Sequence, residues 1–192
     1  EPGVREMAMG FSIPVIVNSG LIDNSLRQEA GKLGIPVITY EAGEALRLYE
    51  RPIVSGVRGI VSVMRTLGML PSRRIQTVRA EPSIAESSSW FRAPMDGIFR
   101  PLVKLGARVK AGTTLGVISA PFSSEEYVLG AEFDGIVICT SKLPLVNEGE
   151  ALFHIAQFKK TRSVESEIAS HDSNIQEDRL FEIESVPATD VN

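Results

Sequence analysis

The sequence is poor in the side chains that most site chemistry uses. Its 192 residues hold one cysteine and two histidines. A lone Cys139 excludes an internal disulfide and fits a reducing compartment, which points to a cytoplasmic location. His154 and His171 form neither an i, i+4 pair nor an H-x-x-E arrangement, so this chain cannot build a typical catalytic zinc site by itself. There is no phosphate-binding Walker loop, no Gly-x-Ser-x-Gly elbow and no cysteine cluster. No apolar run approaches the roughly 20 residues that span a bilayer, so no membrane partner is expected. A net charge of −4 gives no electrostatic case for nucleic acid. Hydrophobic content of 43% and charged content of 23% are those of a soluble globular protein. The length fits one large domain or two small ones. The first residue is Glu1 rather than Met and no signal-like segment follows, so the chain reads as a piece of something longer.

What is present is organised around Gly34-Ile35-Pro36-Val37-Ile38-Thr39-Tyr40-Glu41-Ala42-Gly43-Glu44. An apolar, β-branched run ends on a carboxylate and then on small residues. That pattern predicts a buried parallel strand delivering Glu41 to its C-terminal edge, where open α/β sheets bind ligands. The competing reading is a solvated acid opening a loop. Upstream, Pro14-Val15-Ile16-Val17-Asn18 reads as a second buried strand, and residues 1–13 as loop with a short helix. Ser25-Leu26-Arg27-Gln28 has the form of a capping box, and Gly34 is placed to end the helix it starts. Leu26, Ala30 and Leu33 share one face of that helix. The resulting β-α-β unit should pair 14–18 with 36–40 in parallel.

After the Glu41 turn, Ile53, Val57, Ile60, Val61, Met64 and Leu67 recur at helical spacing until Gly68 and Pro71 stop the run. Gly56 and Gly59 inside it permit close packing. Two helices and two strands cannot cover both faces of a parallel sheet. Residues 1–70 therefore read as the C-terminal part of a larger α/β domain. Residues 71–89 read as a linker with a strand at 75–78.

Residues 90–158 contain an internal repeat. Ala93-Pro94-Met95-Asp96-Gly97-Ile98-Phe99 answers to Ala131-Glu132-Phe133-Asp134-Gly135-Ile136-Val137, and Lys110–Ile118 answers to Asn147–Ile155. Two such copies predict an all-β barrel-sandwich with pseudo-twofold symmetry, in which the Asp-Gly pairs supply the positive φ of tight hairpins. Within it, Cys139 reads as a buried strand residue and His154 as a satisfied structural histidine. The module resembles biotinyl and lipoyl carrier domains, which present a modifiable lysine on the hairpin between the halves. Here that hairpin is Ser123-Ser124-Glu125-Glu126-Tyr127, with Lys104 and Lys110 elsewhere, so the carrier reading is disfavoured. Residues 159–192 hold eight acids against four basic residues and predict a disordered or loosely attached tail, with Phe181 and Ile183 as a docking contact.

Taken together, the order of motifs resembles a family. Thr39-Tyr40-Glu41-Ala42-Gly43-Glu44 is followed by Gly56-Val57-Arg58-Gly59-Ile60, then Val63-Met64 and Leu67-Gly68-Met69-Leu70. Trp90-Phe91-Arg92-Ala93-Pro94-Met95-Asp96-Gly97 opens the β module, and Glu148-Gly149-Glu150-Ala151-Leu152-Phe153-His154-Ile155-Ala156 closes it. Over about residues 10–158 this resembles the succinylglutamate desuccinylase/aspartoacylase family of zinc-dependent deacylases, which share the zinc carboxypeptidase fold. The resemblance implies the C-terminal portion of an enzyme that hydrolyses the amide bond of small N-acyl amino acids. It makes Glu41 the general base and acid on zinc-bound water, since a nearby carboxylate can accept and return that proton. It places the zinc ligands upstream of residue 1, with none in this chain, so the chain alone should be inactive. Glu44 and Arg47 are weaker candidates for the substrate pocket's edge, and read equally as solvated residues beside a turn. The alternative is a non-catalytic binding or assembly module. Oligomeric state stays open.

Overall fold

The computed structural model describes residues 2–71, 82–159 and 164–171. Helix α1 (Pro2–Phe11) leads to a short strand β1 (Val15–Val17), helix α2 (Leu26–Lys32) and the long helix α3 (Glu50–Thr66). α2 starts as its sequence requires. The Ser25 hydroxyl accepts from the Gln28 N–H at 3.2 Å, and Gln28 Oε1 accepts from the Asn24 N–H at 2.8 Å. It ends at Gly34, whose φ of 71° lets the Ile35 N–H return to the Ala30 carbonyl. α3 ends in the same way: with Gly68 at φ 72°, the Met69 N–H reaches the Met64 carbonyl at 2.8 Å.

The short helix expected within residues 1–13 takes up all of Pro2–Phe11, because α3 offers it a seat. The Phe11 ring lies where a side chain at Gly59 would stand, and Gly10 faces Thr66 of α3. Gly56 plays the same part for Tyr40: a Cβ there would come within 2.9 Å of the Tyr40 ring. The two interior glycines of α3 are thus the sites where aromatic rings from elsewhere in the chain touch its backbone.

Strand β1 does not pair with residues 36–40. Its parallel partner is β2 (Ser83–Ala85), in the register Val15↔Ser83 and Val17↔Ala85. Residues 36–40 belong to no ladder among the described residues. Their β-branched run suits the interior of a sheet, and the described residues offer no second strand to it. Part of the expected linker is therefore a strand, and the strand expected at 75–78 lies outside the described residues.

From Ser87 onward the chain is all β: β3 (Ser87–Arg92), β4 (Gly97–Pro101), β5 (Arg108–Val109), β6 (Thr114–Ser119), β7 (Glu126–Gly130), β8 (Gly135–Thr140), β9 (Leu145–Val146) and β10 (Ala151–Gln157). They make two four-stranded sheets, β3-β10-β8-β5 and β7-β6-β4-β9. The repeat explains this order. β3–β6 form one copy and β7–β10 the other, and each sheet takes its two outer strands from one copy and its two inner strands from the other. The copies also exchange equivalent bonds. Asp96 Oδ1 accepts from the Glu148 N–H at 2.7 Å, and Asp134 Oδ1 accepts from the Ala111 N–H at 2.9 Å.

The Asp-Gly glycines do not serve hairpins with positive φ, contrary to the sequence expectation. Gly97 and Gly135 start inner strands, and a Cβ on either would press into a facing carbonyl, Ser119 at 2.7 Å or Ala156 at 2.6 Å. The positive φ values fall instead on Gly112 (83°) and Gly149 (84°), the equivalent turns further along each copy. Phe153, Leu115, Ile118, Leu152 and Ile155 fill the space between the sheets.

The outer face of the first sheet is covered in part by β1 and β2. Val15 and Val17 of β1 and Ala85 of β2 pack on Ile136, Ile138, Ala156 and Phe158. Residues 164–171 form a further helix, with Val164 and Ile168 in the same cluster. The Ser83 hydroxyl donates to Glu167 on that helix at 2.7 Å. The stretch expected to be a disordered or loosely attached tail thus contains a packed helix at 164–171, set by two apolar residues at i, i+4. Phe181 and Ile183 lie outside the described residues. No described helix is long and apolar enough to cross a membrane.

Candidate active site

Glu41 follows directly on the best-anchored residue of its segment. The Tyr40 hydroxyl donates to the Pro52 carbonyl at 2.9 Å, and its ring packs on Phe11 with centroids 5.1 Å apart. Burial pushes the Tyr40 hydroxyl's pKa up, opposed by a hydrogen bond with Ser55. Tyr40 therefore pins the segment to α3 as a neutral, hydrogen-bonded phenol. The Glu41 side chain is exposed.

The turn that follows needs unusual backbone. Gly43 has φ 85° and Leu46 has φ 61°, a left-handed value that a leucine adopts at some cost. Glu44 is half-buried and accepts from the Tyr49 hydroxyl at 3.1 Å, with the Arg47 N–H closing on the Glu44 carbonyl at 3.3 Å. Glu44 thus holds the turn together, while Arg47 is exposed.

The β module contributes a second group of polar and aromatic side chains. Trp90 on β3, His154 on β10 and Cys139 on β8 are direct partners in adjacent ladders, so the three form one row across the sheet. Trp90 and His154 stack at 4.2 Å with their planes 14° apart. Cys139 is exposed rather than buried, because the irregularity in the β10–β8 ladder falls beside it. The Glu41 charge reaches this row. Burial pushes the Cys139 thiol up and the Glu41 carboxylate pushes it further, opposed by a backbone hydrogen bond at Thr140, so the thiol is a poor nucleophile. Burial holds His154 below the usual imidazole range, and Glu41 pulls it partly back. His154 is thus a neutral ring at neutral pH.

The Glu41 charge thus acts on two side chains that the sequence reads as structural, and Trp90 stacks on one of them. The available signal was weak: His154 is the one polar side chain in the apolar run Leu152–Ala156. Among the described residues no group of three or more His, Cys, Asp or Glu side chains could hold a metal ion. Zinc has no seat within this set.

No family model matches the sequence, and no curated protein matches it either. Solved structures do. A succinylglutamate desuccinylase/aspartoacylase from Rhodobacter sphaeroides superposes with a TM-score of 0.71 at 23% identity, covering 81% of this chain and 49% of that one. The product-bound ectoine utilization protein EutE from Ruegeria pomeroyi gives 0.70 at 19%, covering 81% and 49%. A succinylglutamate desuccinylase from Silicibacter gives 0.70 at 17%, covering 82% and 49%. The chain spans about half the length of the structures it matches. A partial parallel sheet with helices, followed by a two-sheet β module, gives this chain the fold of the C-terminal half of succinylglutamate desuccinylase/aspartoacylase structures.

Proposed function

We propose that this chain is the C-terminal part of a deacylase that hydrolyses the amide bond of small N-acyl amino acids, with Glu41 as its proton-transfer group. The observation that carries the reading is the placement of Glu41. It follows the anchored Tyr40 and stays exposed, and its charge acts on His154 of the β module. A carboxylate so held can take a proton from an attacking water as the new C–O bond forms. It can then return the proton to the amine as the C–N bond breaks. Glu44 shapes the turn beyond it, and Arg47 stands at the turn's exposed edge, where it would meet a substrate carboxylate. The described residues do not fit zinc. In the whole protein, the zinc ligands that the family resemblance implies belong to a segment preceding residue 1.

Glu41→Gln in the whole protein tests the reading, because it preserves shape and removes the basic carboxylate. Turnover of an N-acyl amino acid should fall by about 10²–10⁴-fold, the usual range for a general acid–base group. The melting temperature should hold, since Glu41 is exposed. Near-normal turnover, or loss explained by unfolding, would leave a non-catalytic binding module as the better account.

A further inference from the structure

The two sheets of the β module answer to each other through the repeat, yet they differ in what covers their outer sides. On the first sheet, Ile136 and its ladder partner Ala156 are fully buried, because β1, β2 and the helix at 164–171 pack over them. Their counterparts on the second sheet are Ile98 and its ladder partner Ser119. Ile98 is instead 44% exposed. The registers extend this open side across all four strands. Leu145, Ile98, Ser119 and Glu126 form one row, and Arg100, Val117 and Val128 form the next. Leu145 is 64% exposed and Val128 58%, while Phe122 stands fully exposed in the hairpin that joins Ser119 to Glu126. An antiparallel sheet with a solvated outer side carries polar residues there. These two rows are apolar at four of their seven positions.

We propose that the outer side of the second sheet is an interface between two copies of this chain, with Arg100 of each copy facing Glu126 of the other. Three observations favour a second copy as the occupant. The first is direction. The core lies between the sheets, so this side faces away from β1 and β2, which pack on the opposite side of the module. The second is charge. The face carries one cation, Arg100 on β4, and one anion, Glu126 on β7, and β6 lies between those strands. Neither forms an ion pair among the described residues. Glu126 Oε1 accepts from the Ser119 hydroxyl at 2.9 Å, which holds the carboxylate in place and leaves Oε2 to bond elsewhere. An isologous interface must be self-complementary. A twofold axis passing over β6, between the two facing sheets, brings each Arg100 to the other copy's Glu126 and forms the pair twice. The third is area. A standard interface takes about 800 Å² from each partner, and a four-stranded apolar face with Phe122 at its rim offers an area of that order.

Sedimentation equilibrium of the 192-residue chain across the micromolar range tests this. A dimer is expected, and a monomer throughout overturns the proposal. Leu145→Lys and Val128→Lys should each weaken the dimer about 10-fold or more, because each puts an unpaired ammonium into an apolar contact. The double variant Leu26→Glu/Leu33→Glu, on the exposed face of α2, should leave the dissociation constant unchanged. A dimer that yields to the α2 variant and survives Leu145→Lys belongs to the first half of the chain, and overturns the assignment. Arg100→Glu should also weaken the dimer about 10-fold, by setting two carboxylates against each other. Adding Glu126→Arg should restore most of the affinity, since the pair is then only reversed. Both positions are exposed, so this arm decides the question even if Leu145→Lys or Val128→Lys unfolds the sheet. An absence of rescue, in a double variant that melts at the wild-type temperature, overturns the proposal.

Discussion

The two halves of this chain treat apolar surface in opposite ways. In the β module Phe153, Leu115, Ile118, Ile136, Leu152 and Ile155 are fully buried between or upon two sheets. Among the described residues of the first 71, only Phe11 and Val63 are buried hydrophobics. There the predicted inner face of α2 looks outward instead, with Leu26 82% and Leu33 77% exposed, and Leu46 stands fully exposed at the Glu41 turn. A groove of about 320 Å³ between Phe11, Tyr40, Ile60 and Met64 lies open nearby. One region closes its own core, and the other presents one side of a core.

The contrast predicts very different costs for similar truncations. Phe153→Ala should destabilise the chain by about 3–5 kcal/mol, as filled cores do, measured by denaturant unfolding. Leu26→Ala should change stability by no more than about 0.5 kcal/mol in this chain. If α2 is covered in the whole protein, the same substitution should cost about 2–5 kcal/mol there. A small effect in both settings would mean that the α2 face is simply a solvated surface.

Hydrogen exchange should draw the same line along the backbone. Amides of β6, β8 and β10 should open only with global unfolding, whereas those of α2 should exchange through local opening. Comparable protection in both regions would erase the distinction.

The smallest effects sharpen the comparison inside the β module. Asp96→Ala and Asp134→Ala each remove one bond from a side chain to a backbone N–H, at equivalent places in the two copies. Each should cost about 0.5–1.5 kcal/mol, and the two costs should agree if the pseudo-symmetry is energetic as well as geometric.

Local signals made much of the fold legible in the sequence. Ser25 caps the Gln28 N–H at the start of α2 while the Gln28 side chain accepts from the Asn24 N–H, and Gly34 and Gly68 close their helices. The repeat gave the two-sheet module, down to equivalent glycines. What the sequence could not show were outcomes decided by distant partners. Residues 36–40 have the composition of an inner strand, yet composition does not say whether a neighbour is present. Gly97 and Gly135 were read as turn residues, whereas facing carbonyls at 2.7 and 2.6 Å are the reason for them. The site divided in the same way. The sequence singles out Glu41 by its place at the end of an apolar run, whereas Trp90, His154 and Cys139 meet only through ladders that join three separate strands.

The position of β10 carries a consequence for how the protein is made. This last strand lies between β3 and β8 and supplies Leu152, Phe153 and Ile155 to the core. Its pairing with β3 joins segments about sixty residues apart, as His154 opposite Trp90 shows. During synthesis, neither the first sheet nor the core between the sheets can close before β10 has emerged. α1 and α3 depend on nearer neighbours and can form earlier. Non-local strand pairing is slow, and an unclosed sheet exposes strand edges, so the interval before β10 arrives is when the nascent chain is most prone to aggregate. A premature stop before Ala151 should therefore yield an aggregating product, although most of the sequence would already be present.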